Sequence, residues 1–157
     1  MFMNRAWIEE HIPHQGCMCL LDEVIEWDMR QVRCRSATHR AADNPLRSHD
    51  RLGAACGIEY AAQAMALHGA LTAGARSGAP SGAPAGSRTV GFLASVRDVR
   101  LWVLRLDDIE SDLICEVTLD AGDGVTALYE FTVRDSRRKL LSGRAAVLLD
   151  ANRRLRK

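Results

Sequence analysis

The chain has 157 residues, 47% of them hydrophobic and 26% charged, the length and balance of a single soluble globular domain. Folding at this size removes roughly two-thirds of the unfolded surface from water, so no disulfide or metal is required for a core, and collagen, coiled coil and disordered tail are excluded. Twenty-one Lys and Arg against twenty Asp and Glu leave a formal charge of +1, too little to hold a polyanion over the whole surface, so no nucleic-acid partner is expected.

The first residues contain acids where a secretory signal needs an unbroken apolar run, so no export is expected. Ala6 to His11 predicts a short amphipathic helix halted by Pro13, which lacks an amide donor and restricts the residue before it. Met18 to Trp27 and Gln31 to Thr38 predict a hairpin, the second strand alternating with Val32, Cys34, Ser36 and Thr38 on one face, and Asp28-Met29-Arg30 as its turn. Cys17 and Cys19 would share a strand face near His14, but a fourth metal ligand is not evident. The five cysteines include no C-x-x-C pair and fit a reducing compartment, with no metal and a cytoplasmic location expected.

Residues 39 to 52 have no regular period and predict a loop, with Asp43-Asn44-Pro45 as a turn initiator. Gly53 to about Ala73 is rich in Ala, Leu, Met, Ile and Gly, a composition suited to a helix surrounded by protein. Leu52 to Ala75 is broken by Glu59 and diluted by polar residues, which argues against a membrane span. The tandem Ser-Gly-Ala-Pro repeat within Gly74 to Ser87 predicts a flexible linker. Four strands should follow, Val90 to Leu106 (bent), Leu113 to Ala121, Val125 to Arg134 and Lys139 to Leu149, with turns at Asp107-Asp108, Gly122-Asp123-Gly124 and Asp135-Ser136. The basic clusters Arg137-Arg138-Lys139 and Arg153 to Lys157 carry no interleaved aromatics and read as solvated, the second as a tail over residues 151–157.

This order predicts one α+β domain over residues 1–157, an antiparallel sheet of five to seven strands wrapped around one long central helix. The open edge of such a sheet would be covered by two copies pairing edge to edge. Glu59 is the lone acid of the apolar helix, where a carboxylate is expensive unless paired, hydrated at a cleft or protonated. It either accepts hydrogen bonds that hold a loop or performs chemistry. Gln63, four residues on, shares its face. His68 points roughly opposite and reads as a capping or surface residue. His39 and His49 in the preceding loop can each reach the helix start, and an imidazole facing a carboxyl across a cleft can take a proton from carbon and return one to oxygen.

Ile12-Pro13-His14-Gln15, Cys19-Leu20-Leu21-Asp22-Glu23-Val24, Gly57-Ile58-Glu59-Tyr60-Ala61-Ala62-Gln63 and Phe92 to Leu101 resemble, in order and spacing, segments of the hotdog-fold 3-hydroxyacyl-[acyl carrier protein] dehydratases. The similarity is to the branch associated with aryl polyene pigment pathways. The resemblance implies a hotdog fold and dehydration of a 3-hydroxyacyl thioester held on the phosphopantetheine of an acyl carrier protein, with no further cofactor. It places Glu59 as the acid that protonates the leaving hydroxyl, Gln63 beside it as an orienting group, and N–H groups of Gly53 or Ala54 at the thioester carbonyl. The acyl chain would run in an apolar tunnel along the helix near Ser95. The family's Gly-His-Phe-Pro motif is missing, so the base is His49, ten residues before Glu59, or His39, twenty before. His14 matches the family's opening motif, which does not supply the base.

The resemblance implies a dehydratase acting as a homodimer or heterodimer, docked by the carrier protein, for which the basic clusters are available. The missing base motif admits a non-catalytic subunit that pairs with an active hotdog partner. A thioesterase using Glu59 to activate water shares the same fold.

Overall fold

The computed structural model describes residues 2–78 and 91–149. Most of the expected linker and the basic tail at 151–157 therefore lie outside the described residues. Helix α1 (Arg5–His11) starts where the Asn4 side chain accepts the Trp7 N–H at 3.1 Å, and it ends at Ile12, just before Pro13. A 3₁₀ turn at Gly16–Met18 leads to strands β1 (Glu23–Trp27) and β2 (Gln31–Ser36).

β1 begins five residues later than the pattern predicts, for a hydrogen-bonding reason. The Leu20 N–H goes to the Gln63 side chain and its carbonyl accepts from the Ser36 and Thr38 hydroxyls. A backbone whose polar groups are spent on side chains has none left for a ladder. The expected turns do form: Asp28, Asp123 and Asp135 each accept two backbone N–H groups, two and three residues ahead, on one carboxylate oxygen. This is the local bonding that makes Asp a turn residue.

After the loop, a 3₁₀ turn at Ala54–Cys56 runs into helix α2 (Gly57–Ser77), which stops at Gly78 in the left-handed region at φ +69. The helix thus extends through Gly74 to Ser77, residues expected in the linker. Gly78 ends it because only glycine adopts that conformation without steric cost. The remaining strands are β3 (Gly91–Leu101), β4 (Leu113–Gly122), β5 (Thr126–Arg134) and β6 (Lys139–Leu149). β3 ends before Leu106 because residues 104 to 106 bridge instead to the chain entering α2: Ala54 N–H to Leu104 O, 3.1 Å, and Leu106 N–H to Leu52 O, 2.7 Å.

The six strands form one antiparallel sheet in the order β1-β2-β4-β5-β6-β3. Its concave face holds α2, the hotdog arrangement expected above. Tyr60, Ala61, Ala64, Met65, Leu67 and Leu71 of α2 join Val32, Cys34, Cys115, Val117, Phe131 and Leu141 of the sheet in one core. Cys34 and Cys115 are register partners on β2 and β4, both free and buried. Two glycines permit close approach: a Cβ on Gly57 would lie 2.5 Å from a Leu141 methyl, and one on Gly143 would lie 2.7 Å from the Phe131 ring. Burial is uneven along the sheet. Leu93 and Val99 of β3 remain more than one-third exposed, although they share the helix side of the sheet with buried Val147 and Gly143.

Candidate functional site

Glu59 lies in the first turn of α2 and is exposed, which corrects the expectation of a carboxylate sunk in an apolar helix. It has no hydrogen-bond or ion-pair partner among the described residues. The reading in which it merely holds a loop therefore fails. The helix has an open face made of small residues instead of charges: Ala62, Ala66, Gly69, Ala70 and Ala73 continue from Glu59 at one-turn spacing, all partly or wholly exposed. Composition alone hides such a face, because alanine is apolar wherever it points.

The support beneath Glu59 is polar and saturated. Next to it, the Tyr60 hydroxyl meets Thr38 Oγ1 at 2.8 Å and accepts from Asn44 Nδ2 at 3.0 Å, and burial pushes the phenol up to about 12. Asn44 also caps its own turn, accepting the Leu46 N–H at 2.9 Å, and the Cys56 thiol reaches Leu46 O at 3.8 Å. These bonds pin the preceding loop against the start of the helix. On its other side the entry to α2 is held by Asp107, whose Oδ1 accepts the Leu52 N–H at 2.9 Å. The Arg105 guanidinium beside Asp107 holds its carboxyl well below the usual carboxylate range. Sequence reasoning took Asp107 only as a turn residue; its tie to Leu52 spans 55 positions and leaves no local signal.

Gln63 is 1% exposed. Its Oε1 accepts the Leu20 N–H at 2.8 Å and its Nε2 donates to Met18 O at 2.7 Å, so both ends of the amide are committed to the segment before β1. It does not share an open face with Glu59, and its role here is to position residues 18–20 on the helix. His39 is wholly buried in a 3₁₀ turn at Thr38–Arg40, with Nε2–H donating to Ile109 O at 2.9 Å. Burial pushes its imidazole down, and a ring enclosed in this way does not meet substrate. His49 is exposed at the tip of a two-residue turn closed by Ser48 and Arg51, with φ +52 at His49 and +58 at Asp50. Non-glycine residues adopt these angles only at a cost of order 1–3 kcal/mol. No hydrogen bond joins His49 to Glu59 among the described residues.

The Ala54 N–H is spent on Leu104 O, whereas the Gly53 N–H finds no acceptor among the described residues. Gly53, not Ala54, thus has a free donor near the helix entry. Ser95 is a register partner of Ala146, on the face opposite the buried Ala145 and Tyr129. It lies on the outer face of the sheet and lines a groove of about 310 Å³ with Arg97, Asp120, Leu128 and Arg144. Ser95 therefore does not face α2, where the expected tunnel would run; among the described residues the open apolar surface lies along α2 and the inner side of β3.

His68 is buried, not a surface cap. Its Nδ1 accepts from the Tyr129 hydroxyl at 2.9 Å and its Nε2–H donates to Asp28 O at 3.0 Å. The described residues hold no group of three His, Cys, Asp or Glu side chains that could bind a metal, and no described helix is long and apolar enough to cross a membrane.

The family model for the ApeP-like proteins, described as ApeP dehydratase, matches residues 6–154. The chain belongs to the ApeP-like dehydratase family. Its fold is similar to that of the dehydratase heterocomplex ApeI:P from Xenorhabdus doucetiae, at 21% identity and a TM-score of 0.79, covering 96% of this chain and 97% of that one. An HP0420 homologue from Helicobacter felis shares 15% identity with a TM-score of 0.59 over 90% of this chain and 88% of its own. A thioesterase from Pseudomonas aeruginosa, PA1618, shares 7% with a TM-score of 0.54 over 82% and 80%. At these identities the structural likenesses establish the fold alone. No curated protein matches the sequence.

Proposed function

We propose that this chain removes water from a 3-hydroxyacyl thioester carried on the phosphopantetheine of an acyl carrier protein, giving the 2-enoyl thioester. It does so in the cytoplasm, within the aryl polyene branch that the sequence resembles, and as one of two paired hotdog subunits. The observation that carries this reading is the unpartnered Glu59 carboxyl at the head of an open small-residue face of α2. A base takes the C2 proton, the electrons form the C2–C3 double bond, and the C3–O bond breaks as Glu59 delivers a proton to the leaving hydroxyl. The Gly53 N–H donates to the thioester oxygen as charge develops there. Protons are moved and no electrons are gained or lost, so the step needs no cofactor beyond the carrier arm. His49 is the base, from the same chain or across the pair.

Turnover of a 3-hydroxyacyl thioester, followed as enoyl product, tests this reading. Glu59 has no hydrogen-bond or ion-pair partner among the described residues, so Glu59→Gln should change stability by no more than about 0.5 kcal/mol while slowing turnover on the order of 100- to 10,000-fold. Unchanged turnover rejects the assignment, and accumulation of free thiol instead of enoyl product marks a thioesterase. The enclosure of His39 and the missing bond from His49 to Glu59 support a second reading, a non-catalytic subunit. In that case the isolated chain is inactive and activity appears only on mixing with an active hotdog partner.

A further inference from the structure

The loop that carries His49 is held at its near root by one buried side chain. Asn44 is 6% exposed, and both ends of its amide are committed. Nδ2 donates to Thr38 O at 2.9 Å and to the Tyr60 hydroxyl at 3.0 Å, while Oδ1 accepts the Leu46 N–H at 2.9 Å. The hydroxyls beyond it have a fixed direction. Thr38 Oγ1 gives its single proton to Leu20 O at 2.7 Å, so it accepts from the Tyr60 O–H at 2.8 Å, and the Tyr60 oxygen in turn accepts from Asn44. Donors thus run one way, from the loop through Tyr60 of α2 to Leu20, whose N–H is held by Gln63. Bonds in such a series polarise one another, and a buried member that loses its partner is costly.

The far root of the loop is Leu52, whose N–H is accepted by Asp107 and whose carbonyl accepts the Leu106 N–H. Residues 45–51 arch between the two roots. Pro45 has a fixed φ, the Arg47 N–H returns to Asn44 O at 3.2 Å, and Ser48 and Arg51 exchange backbone bonds at 2.9 and 3.0 Å. At the tip, His49 and Asp50 stand at φ +52 and +58. Residues other than glycine persist there only where the surrounding structure over-determines them, and such strain clusters at functional sites. Tyr60 directly follows Glu59, so one bond, Asn44 to Tyr60, stands between the arch that bears the base and the helical turn that bears the acid.

We propose that Tyr60 and Asn44 are positioning residues for the elimination: their bond fixes the His49 imidazole on α2, and with it the approach of base and acid to one substrate. This rests on the reading of Glu59 as acid and His49 as base given above. Tyr60 touches no substrate itself. It is wholly buried, and burial pushes its phenol up to about 12, so it keeps its proton at neutral pH and acts through placement. Without the bond the strained arch is free to relax, and a displacement of about 1 Å between reacting groups costs on the order of 100-fold in rate.

A double-mutant cycle on turnover of a 3-hydroxyacyl thioester, followed as enoyl product, tests this. Tyr60→Phe removes only the hydroxyl. It should lower kcat about 10- to 100-fold, with KM changed by less than about threefold and the shape of the pH profile kept. His49→Asn supplies the second background, because Asn tolerates the left-handed backbone. There Tyr60→Phe should lower kcat by less than about twofold, since the base that it would misplace is gone. Equal losses in the two backgrounds, the mark of a merely structural tyrosine, or wild-type kcat in Tyr60→Phe, overturn this proposal alone. Undiminished turnover in Glu59→Gln or His49→Asn, or none from wild type, overturns the assignment of acid and base and this proposal with it. Circular dichroism checks folding. If Tyr60→Phe does not fold, Asn44→Ala, which removes the loop side of the same bond and leaves α2 intact, takes its place under the same expectations.

Discussion

The two enclosed imidazoles should make this fold acid-sensitive well above the carboxylate range. His68 is held neutral by its bonds to the Tyr129 hydroxyl and Asp28 O, and its ring meets Tyr129 edge-on at 5.6 Å. Burial pushes its pKa down, as does the more distant Arg76, while the Asp28 carbonyl and carboxylate pull up; burial is the largest of these influences. His39 is lowered by burial in the same way. In the unfolded chain each takes up a proton near pH 6.5. A group whose folded pKa is depressed contributes stability that is present above the unfolded value and lost as pH falls below it. Each histidine therefore tilts the unfolding free energy by a limiting slope of about 1.4 kcal/mol per pH unit, and over the first unit below 6.5 the two together remove up to about 2 kcal/mol. Urea denaturation followed by tryptophan fluorescence at pH 7.5, 6.5 and 5.5 measures this loss. His68→Gln replaces a titrating donor with a fixed one, so it should cost about 1–3 kcal/mol at pH 7.5 while roughly halving the acid-side loss. A wild-type stability flat from pH 7.5 to 5.5, or a His68→Gln protein with the same acid-side loss, refutes the reasoning.

Gln63→Ala should leave the buried Leu20 N–H and Met18 carbonyl without partners. The expected loss is about 2–4 kcal/mol, with faster hydrogen exchange around residues 18–20; an unaltered melting temperature would show that Gln63 does not hold this segment. Gly143→Ala would place a methyl 2.7 Å and 2.9 Å from two ring carbons of Phe131 and 3.3 Å from Val99 Cγ2. The ring has no room to retreat in the core, so about 1–3 kcal/mol should be lost in a thermal melt, and a neutral result would mean that β6 can shift away from β5.

Hairpin turns were readable because their signals are local. Asp28, Asp123 and Asp135 each bond backbone two and three residues ahead, and the last three strands begin and end within a residue of the pattern. β1 and the C-terminus of α2 were misplaced for opposite reasons. The first lost its early residues to Gln63, Ser36 and Thr38, which are distant in sequence, whereas the second continued through Gly74, whose cost in one solvent-facing helical turn is only about 1 kcal/mol.

Residue type and spacing were sufficient for the order of the elements, the single long helix, the antiparallel sheet and the resemblance that pointed to Glu59. Which side chains are covered was decided by tertiary structure, because burial is a property of neighbours that periodicity does not name. Packing turned Glu59 outward and drew Gln63, His39 and His68 inward. An alanine-rich helix offers nearly the same apolarity on every side, so the sheet, not the sequence pattern, chooses the face that it buries.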